Sequence, residues 1–161
     1  MDRRRALVAI SAAQLAAGVA GQLIALRDRR SFDIALLRWR GKPENVLKDS
    51  WLQGTGLSAP IYMLASQAVA TARLATAPSP VATRFLGALG ALMACGYLVE
   101  REFRSAFSPT GLDPAVTPVA AAGFVLSVAM ARTGLQPLPR TRDRRIVEVA
   151  AMEVRGAGRR G

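Results

Sequence analysis

The sequence predicts an all-α integral membrane protein: four helices crossing the bilayer as a four-helix bundle, with a basic first loop and a basic C-terminal tail. Three observations carry that prediction. First, the 22 Lys and Arg and the 11 Asp and Glu of this 161-residue chain all fall outside four apolar stretches, residues 6–26, 50–72, 85–99 and 115–131. A helix bathed in water needs a polar face every three or four residues, and these stretches carry no charge on any face. Second, the bilayer core takes about 20 apolar residues per helix, which matches their lengths. Third, the chain is 51% hydrophobic but only 6% aromatic, so its apolar content is mostly Ala, Val, Leu and Gly. Small side chains of that kind let helices approach closely in lipid, where apolar burial does not drive them together.

The net charge of +11 and the pI near 11.5 bring either nucleic acid or an anionic membrane surface to mind. Because the charges gather at the ends of apolar stretches, the bilayer and its anionic headgroups are the expected partner and nucleic acid is not. A soluble Ala-rich helical bundle is the competing reading, permitted by the mean hydropathy of +0.22. It would require helices uncharged all round with every charge in the loops.

The first span, residues 6–26, follows MDRRR. Its apolar run exceeds the roughly 7 to 15 residues of a secretory h-region, which predicts a span that stays uncleaved. The second span, 52–73, starts near Pro60, where a missing backbone N–H costs least. The third, 81–99, takes in Arg84 in its first turn, from where a long side chain reaches back to the headgroups. The fourth, 115–133, has Pro118 near its start. Small residues recur every four positions: Ala13, Ala17 and Gly21, then Gly87, Ala91 and Cys95, then Gly123, Ser127 and Ala131. These stripes are expected at helix contacts, within the bundle or with a partner's helix. Cys95 is read as a small packing residue, and Gln14, Gln22, Gln53, Ser66 and Gln67 as hydrogen-bonding groups between helices. Residues 1–135 form the four-span unit and 136–161 a basic, flexible tail.

Four spans place the first and third loops on one membrane face, with the N-terminus, the APSP turn (77–80) and the tail on the other. The first loop carries seven basic and four acidic residues, and the third two basic and three acidic, so the two are complementary. The N-terminal face holds thirteen basic residues against nine, which favours N-in and C-in in an inner or plasma membrane of the bacterial type. In SFDIALLRWR, residues 31–40, Phe32, Leu36 and Trp39 share one helical face. That spacing predicts a short helix in the headgroup plane, with a cap packed on the bundle or irregular loop as the alternatives.

Candidate chemistry gathers on that loop face. LVEREFR, residues 98–104, ends the third span, and Glu100, Glu102 and Asp113 there are candidate general acids or bases if burial raises their pKa values. Arg38, Arg40, Glu44, Asp49, Arg101 and Arg104 are candidate ligand-binding residues around the same mouth. If the third helix continues outward, Glu100 and Arg104 pair four residues apart. A solvated helix end with snorkelling side chains explains the same charges. No ionisable group lies at mid-membrane depth, which argues against proton-coupled transport. With no His and no Walker, GxGxxG, HExxH or CxxC pattern, neither metal nor cofactor is expected. The leading functional reading is a scaffold or accessory subunit that meets itself or a membrane partner. The alternative is a membrane-embedded enzyme or binding protein for a lipophilic small molecule.

Overall fold

The chain begins with α1 (Arg3–Arg27), 25 residues and about 37 Å long at 1.5 Å per residue. The computed structural model describes residues 2–28, 33–34, 39–40, 51, 58–108 and 111–137. Asp2 caps α1, its carboxylate accepting from the Arg4 amide at 3.4 Å. After the first loop comes α2 (Ile61–Thr76), which starts directly behind Pro60. Two prolines then set a sharp reversal. Ala77 precedes Pro78 and Ser79 precedes Pro80, and both are held extended, as the residue before a proline must be. Ser79 caps the next helix through its hydroxyl, which accepts from the Ala82 amide at 3.2 Å, with Pro80 in the first turn.

That helix, α3 (Pro80–Val99), runs 20 residues, about 30 Å, the thickness of a hydrocarbon core. It stops at Glu100, whose backbone is extended (φ −75°, ψ 128°), and a five-residue helix, α4 (Arg101–Ser105), follows. The last described helix is α5 (Val116–Leu135), also 20 residues, with Pro118 in its first turn.

α1 lies against α2 and α5, α3 lies against α2 and α5, and the α3–α5 and α1–α5 contacts are the most extensive. Leu7, Leu64, Leu74, Leu86, Leu89, Met93 and Met130 fill the core between them. Buried positions on α1 (Leu7, Ser11, Gln14, Gly18, Gly21, Ala25) and α5 (Val116, Ala120, Gly123, Ser127, Met130, Gly134) alternate steps of four and three. That is the seam of near-parallel helices packed at a shallow angle.

The surface is the reverse of a soluble protein's. Every exposed residue of α1 between residues 6 and 26 is Ala, Val or Leu. In the most apolar windows of α1, α3 and α5 only 33, 39 and 28% of the residues are buried, so most of this apolar surface points outward. Water would not tolerate uncharged apolar faces of this size on three neighbouring helices. The three helices are long and apolar enough to cross a bilayer, as in a membrane protein. At 16 residues, about 24 Å, α2 is shorter than that thickness.

Several expectations are revised. Within residues 31–40 the described positions are strand: Asp33–Ile34 (β1) pairs antiparallel with Trp39–Arg40 (β2), placing Asp33 opposite Arg40 and Ile34 opposite Trp39, while Phe32 and Leu36 of the predicted helical face lie outside the described residues. Cys95 is exposed, because the inward face of α3 follows Leu86, Leu89, Gly90, Met93 and Tyr97. Ala13 is exposed too, and Ala17 and Ala91 are half-buried, so the four-residue stripes mark the inward face only at Gly21, Gly87, Gly123 and Ser127.

Candidate functional site

At the loop-bearing end, the third-loop acids turn out to have local structural work. The Asp113 carboxylate accepts from the backbone amides of Ala115 (2.8 Å) and Val116 (3.3 Å). Thr117 answers by accepting from the Asp113 amide (3.1 Å) and donating to the Ala106 carbonyl (3.0 Å). This reciprocal arrangement satisfies donors at the start of α5 and favours a negative charge at its positive end. Glu100 is 9% exposed, whereas Arg101 and Arg104 are exposed. The third helix ends at Glu100, and a separate short turn follows in which the Arg104 amide donates to the Glu100 carbonyl at 3.3 Å. What holds EREFR down is its phenylalanine. Phe103 is buried against Tyr97 of α3 (ring centres 5.2 Å) and Phe124 of α5 (5.4 Å), with Phe107 at 5.0 Å.

The two loops do meet. β1 packs against α4, so the backbone of the first loop lies beside EREFR. Of the remaining candidates, Arg40 is described through its strand pairing alone, and Arg38, Glu44 and Asp49, with the Glu102 side chain, lie outside the described residues. Gln53 lies outside them as well.

A second polar constellation lies midway along the helices, where α1, α2 and α5 face one another. Gln67 of α2 donates through Nε2 to the Ser11 carbonyl (2.9 Å) and hydroxyl (3.2 Å), and approaches Met130 Sδ at 3.8 Å. The Ser11 and Thr71 hydroxyls are 2.7 Å apart, and Thr71 also donates to the Gln67 carbonyl at 2.7 Å. Gln14 donates to Ser127 Oγ at 3.3 Å, and Ser127 donates back to the Gly123 carbonyl at 2.7 Å. All five residues are buried, with Gln67, Ser11 and Ser127 wholly inaccessible. Gln14 and Gln67 thus bond between helices, while Ser66 bonds within its own helix to the Met63 carbonyl. The sequence signal for this layer is that Ser11 and Gln14 stand three apart on one face of α1, and in lipid a polar face turns inward.

At the opposite end the N-terminal arginines act as clamps. The Arg3 guanidinium donates to the Thr133 carbonyl (2.8 and 3.0 Å), the Gln136 carbonyl (2.8 Å) and the Pro137 carbonyl (3.1 Å). Arg4 reaches the Leu74 carbonyl of α2 at 3.3 Å. Three arginines in the first turn oppose the dipole of α1, but the antiparallel ends of α5 and α2 supply unsatisfied carbonyls and negative potential beside them. The RRR run read only as a topology signal in the sequence, and this pairing depends on which helix ends are neighbours.

Among the described residues no group of three or more His, Cys, Asp or Glu could hold a metal ion. Comparison with known proteins finds no matching family model, curated protein or solved structure.

Proposed function

We propose that the chain is a four-span membrane interaction subunit, a scaffold or accessory protein that presents a helical face to a second membrane helix. The supporting observation is the outward surface of α1. Ala9, Ala12, Ala13 and Ala16 are all exposed there, at spacings of three and four, and form a smooth strip on which another backbone can settle. Gln14 and Gln67 donate across the helix contacts and the Asp113 carboxylate accepts at the start of α5, bonds that support a structural role for these residues. In this reading α2, preceded by the buried Ser58, completes a fourth span with local thinning of the bilayer. The N-terminus and the basic tail face the cytoplasm, with the tail against anionic headgroups.

The test is the mass of the protein–detergent particle in a mild detergent, measured by light scattering with native mass spectrometry. Oligomers or a co-purifying membrane protein are expected, and A13L is expected to dissociate them without unfolding the protein. A monodisperse, partner-free monomer for the unsubstituted chain counts against the proposal.

The burial of Glu100, together with the packing of the first-loop strand on the adjoining helix α4, favours one second reading, a mouth at which Glu100, Glu102 and Asp113 with Arg38, Arg40, Glu44, Asp49, Arg101 and Arg104 receive a lipophilic small molecule. Mass spectrometry of extracted lipids and small molecules distinguishes it, since E100Q would abolish retention of a specific compound.

A further inference from the structure

Following the hydrogens through the mid-depth layer leaves two acceptors with nothing to accept. Thr71 has one hydroxyl hydrogen, given to the Gln67 carbonyl, so Ser11 must be the donor in the 2.7 Å Ser11–Thr71 bond. Ser127 gives its hydrogen to the Gly123 carbonyl. The Gln67 amine faces the Ser11 carbonyl, and the Gln14 amine faces Ser127 Oγ. Every hydroxyl hydrogen in the layer is therefore committed. Gln14 Oε1 and Gln67 Oε1 are buried and receive no hydrogen bond among the described residues. Turning either amide over exchanges the orphaned carbonyl for an orphaned amine, so the imbalance is a property of the side-chain set.

The two carbonyls belong to one layer. Gln67 reaches Ser11, which lies three residues before Gln14 on the inward face of α1, and touches Met130, three residues after the Ser127 that receives Gln14. We propose that this layer is an internal binding site for a small uncharged hydrogen-bond donor, and that its occupant is water, donating to the Gln14 and Gln67 carbonyls. A buried amide oxygen without a donor is costly, and a buried polar site with several partners is where structural water is held. A cation fits poorly. The helices α1, α2 and α5 that face the layer carry no acidic residue, so an ion would enter without a counter-charge from them.

The proposal is independent of the interaction role of α1, since the layer lies on the opposite face of that helix. The full chain, labelled with 15N in its glutamine side chains and placed in nanodiscs with deuterated lipid, supplies the test. Amide resonances of Gln14 and Gln67, assigned through bonds to the backbone, are expected to show dipolar cross-peaks to the water resonance. The opposite sign of the rotating-frame peak separates these from hydrogen exchange. Exposed Gln136 is the positive control. Cross-peaks at both buried glutamines, in step with the control, support the proposal. Cross-peaks at Gln136 alone, or at just one of the two buried glutamines, overturn it.

Discussion

The α3–α5 seam and the α1–α2–α5 layer hold helices together by opposite means. Where Gly87 and Gly90 of α3 meet α5, side chains are almost absent from the seam. A methyl placed on Gly134 would lie 2.5 Å from Gly87 Cα and 2.8 Å from the Thr83 carbonyl oxygen, and one on Gly90 would lie 2.7 Å from both the Ser127 carbonyl oxygen and the Ala131 nitrogen. Backbone packs on backbone, and dispersion over that close approach replaces the hydrophobic drive that lipid does not provide. In the layer, by contrast, side chains of moderate size fill the gap between helices and bond across it. The seam is therefore sensitive to volume and the layer to polarity.

The largest effect is expected from breaking the seam. G134L and G87V insert atoms against main chain that has no rotamer to yield, so the helices must separate. Overpacking of this kind costs about 1 to 3 kcal/mol and more where backbone must move. An unfolding titration in mixed micelles should show both variants losing most of their stability. G96L is the control, because nothing lies within 4 Å of a methyl at Gly96. Equal loss at Gly96 would mean that α3 is sensitive to any change of volume and that the seam is nothing special.

The layer should respond less to volume and more to chemistry. Q67L keeps the bulk but removes the donor to Ser11 and leaves that hydroxyl with one partner fewer. Interhelical hydrogen bonds in membranes are worth roughly 0.6 to 1.7 kcal/mol each, so a loss of about 1 to 2 kcal/mol is expected. T71V, which keeps the shape and deletes the hydroxyl, should cost about 1 kcal/mol. A double-mutant cycle between Gln67 and Ser11 checks that the loss comes from this pair, and additive effects would place it elsewhere.

The same contrast explains what was readable in the sequence. Apolar stretches without charges locate α1, α3 and α5, because length and composition alone decide whether a helix suits a bilayer. The inward faces were harder. In a chain rich in Ala and Gly the spacing Ala13–Ala17–Gly21 looks as good as Leu7–Ser11–Gln14–Gly18, and only the need of Ser11 and Gln14 for partners selects the second. Tyr97 and Gly123 form a pair that no local pattern shows: a methyl on Gly123 would overlap the Tyr97 hydroxyl, and the two lie on helices that meet only in three dimensions. At the mouth, EREFR was legible as a helix end. The charges drew attention away from Phe103, which anchors it, and from the capping spacing D-x-x-x-T at Asp113 to Thr117, which was visible all along.

Asp113 offers the next sharpening, since it tests whether the loop acids serve structure or chemistry. D113N keeps acceptor geometry and D113A does not, so D113A should destabilise α5 by about 1 kcal/mol and D113N by less. If hydrogen exchange at Ala115 and Val116 is unchanged in D113A, the carboxylate is not the cap.

The smallest effect is expected at the N-terminus, where neighbouring arginines divide sharply. Arg3 donates to three carbonyls at the end of α5, whereas Arg5 is exposed. A cation at a helix C-terminus contributes about 0.3 to 1 kcal/mol, and less in high salt. R3A should therefore loosen the last turn of α5, read as faster amide exchange from Thr133 to Gln136. R5A, which removes the same charge from the same helix turn, should leave that exchange unchanged. The pair separates a bonded clamp from a general gain of positive charge, because a purely electrostatic role predicts that the two substitutions behave alike.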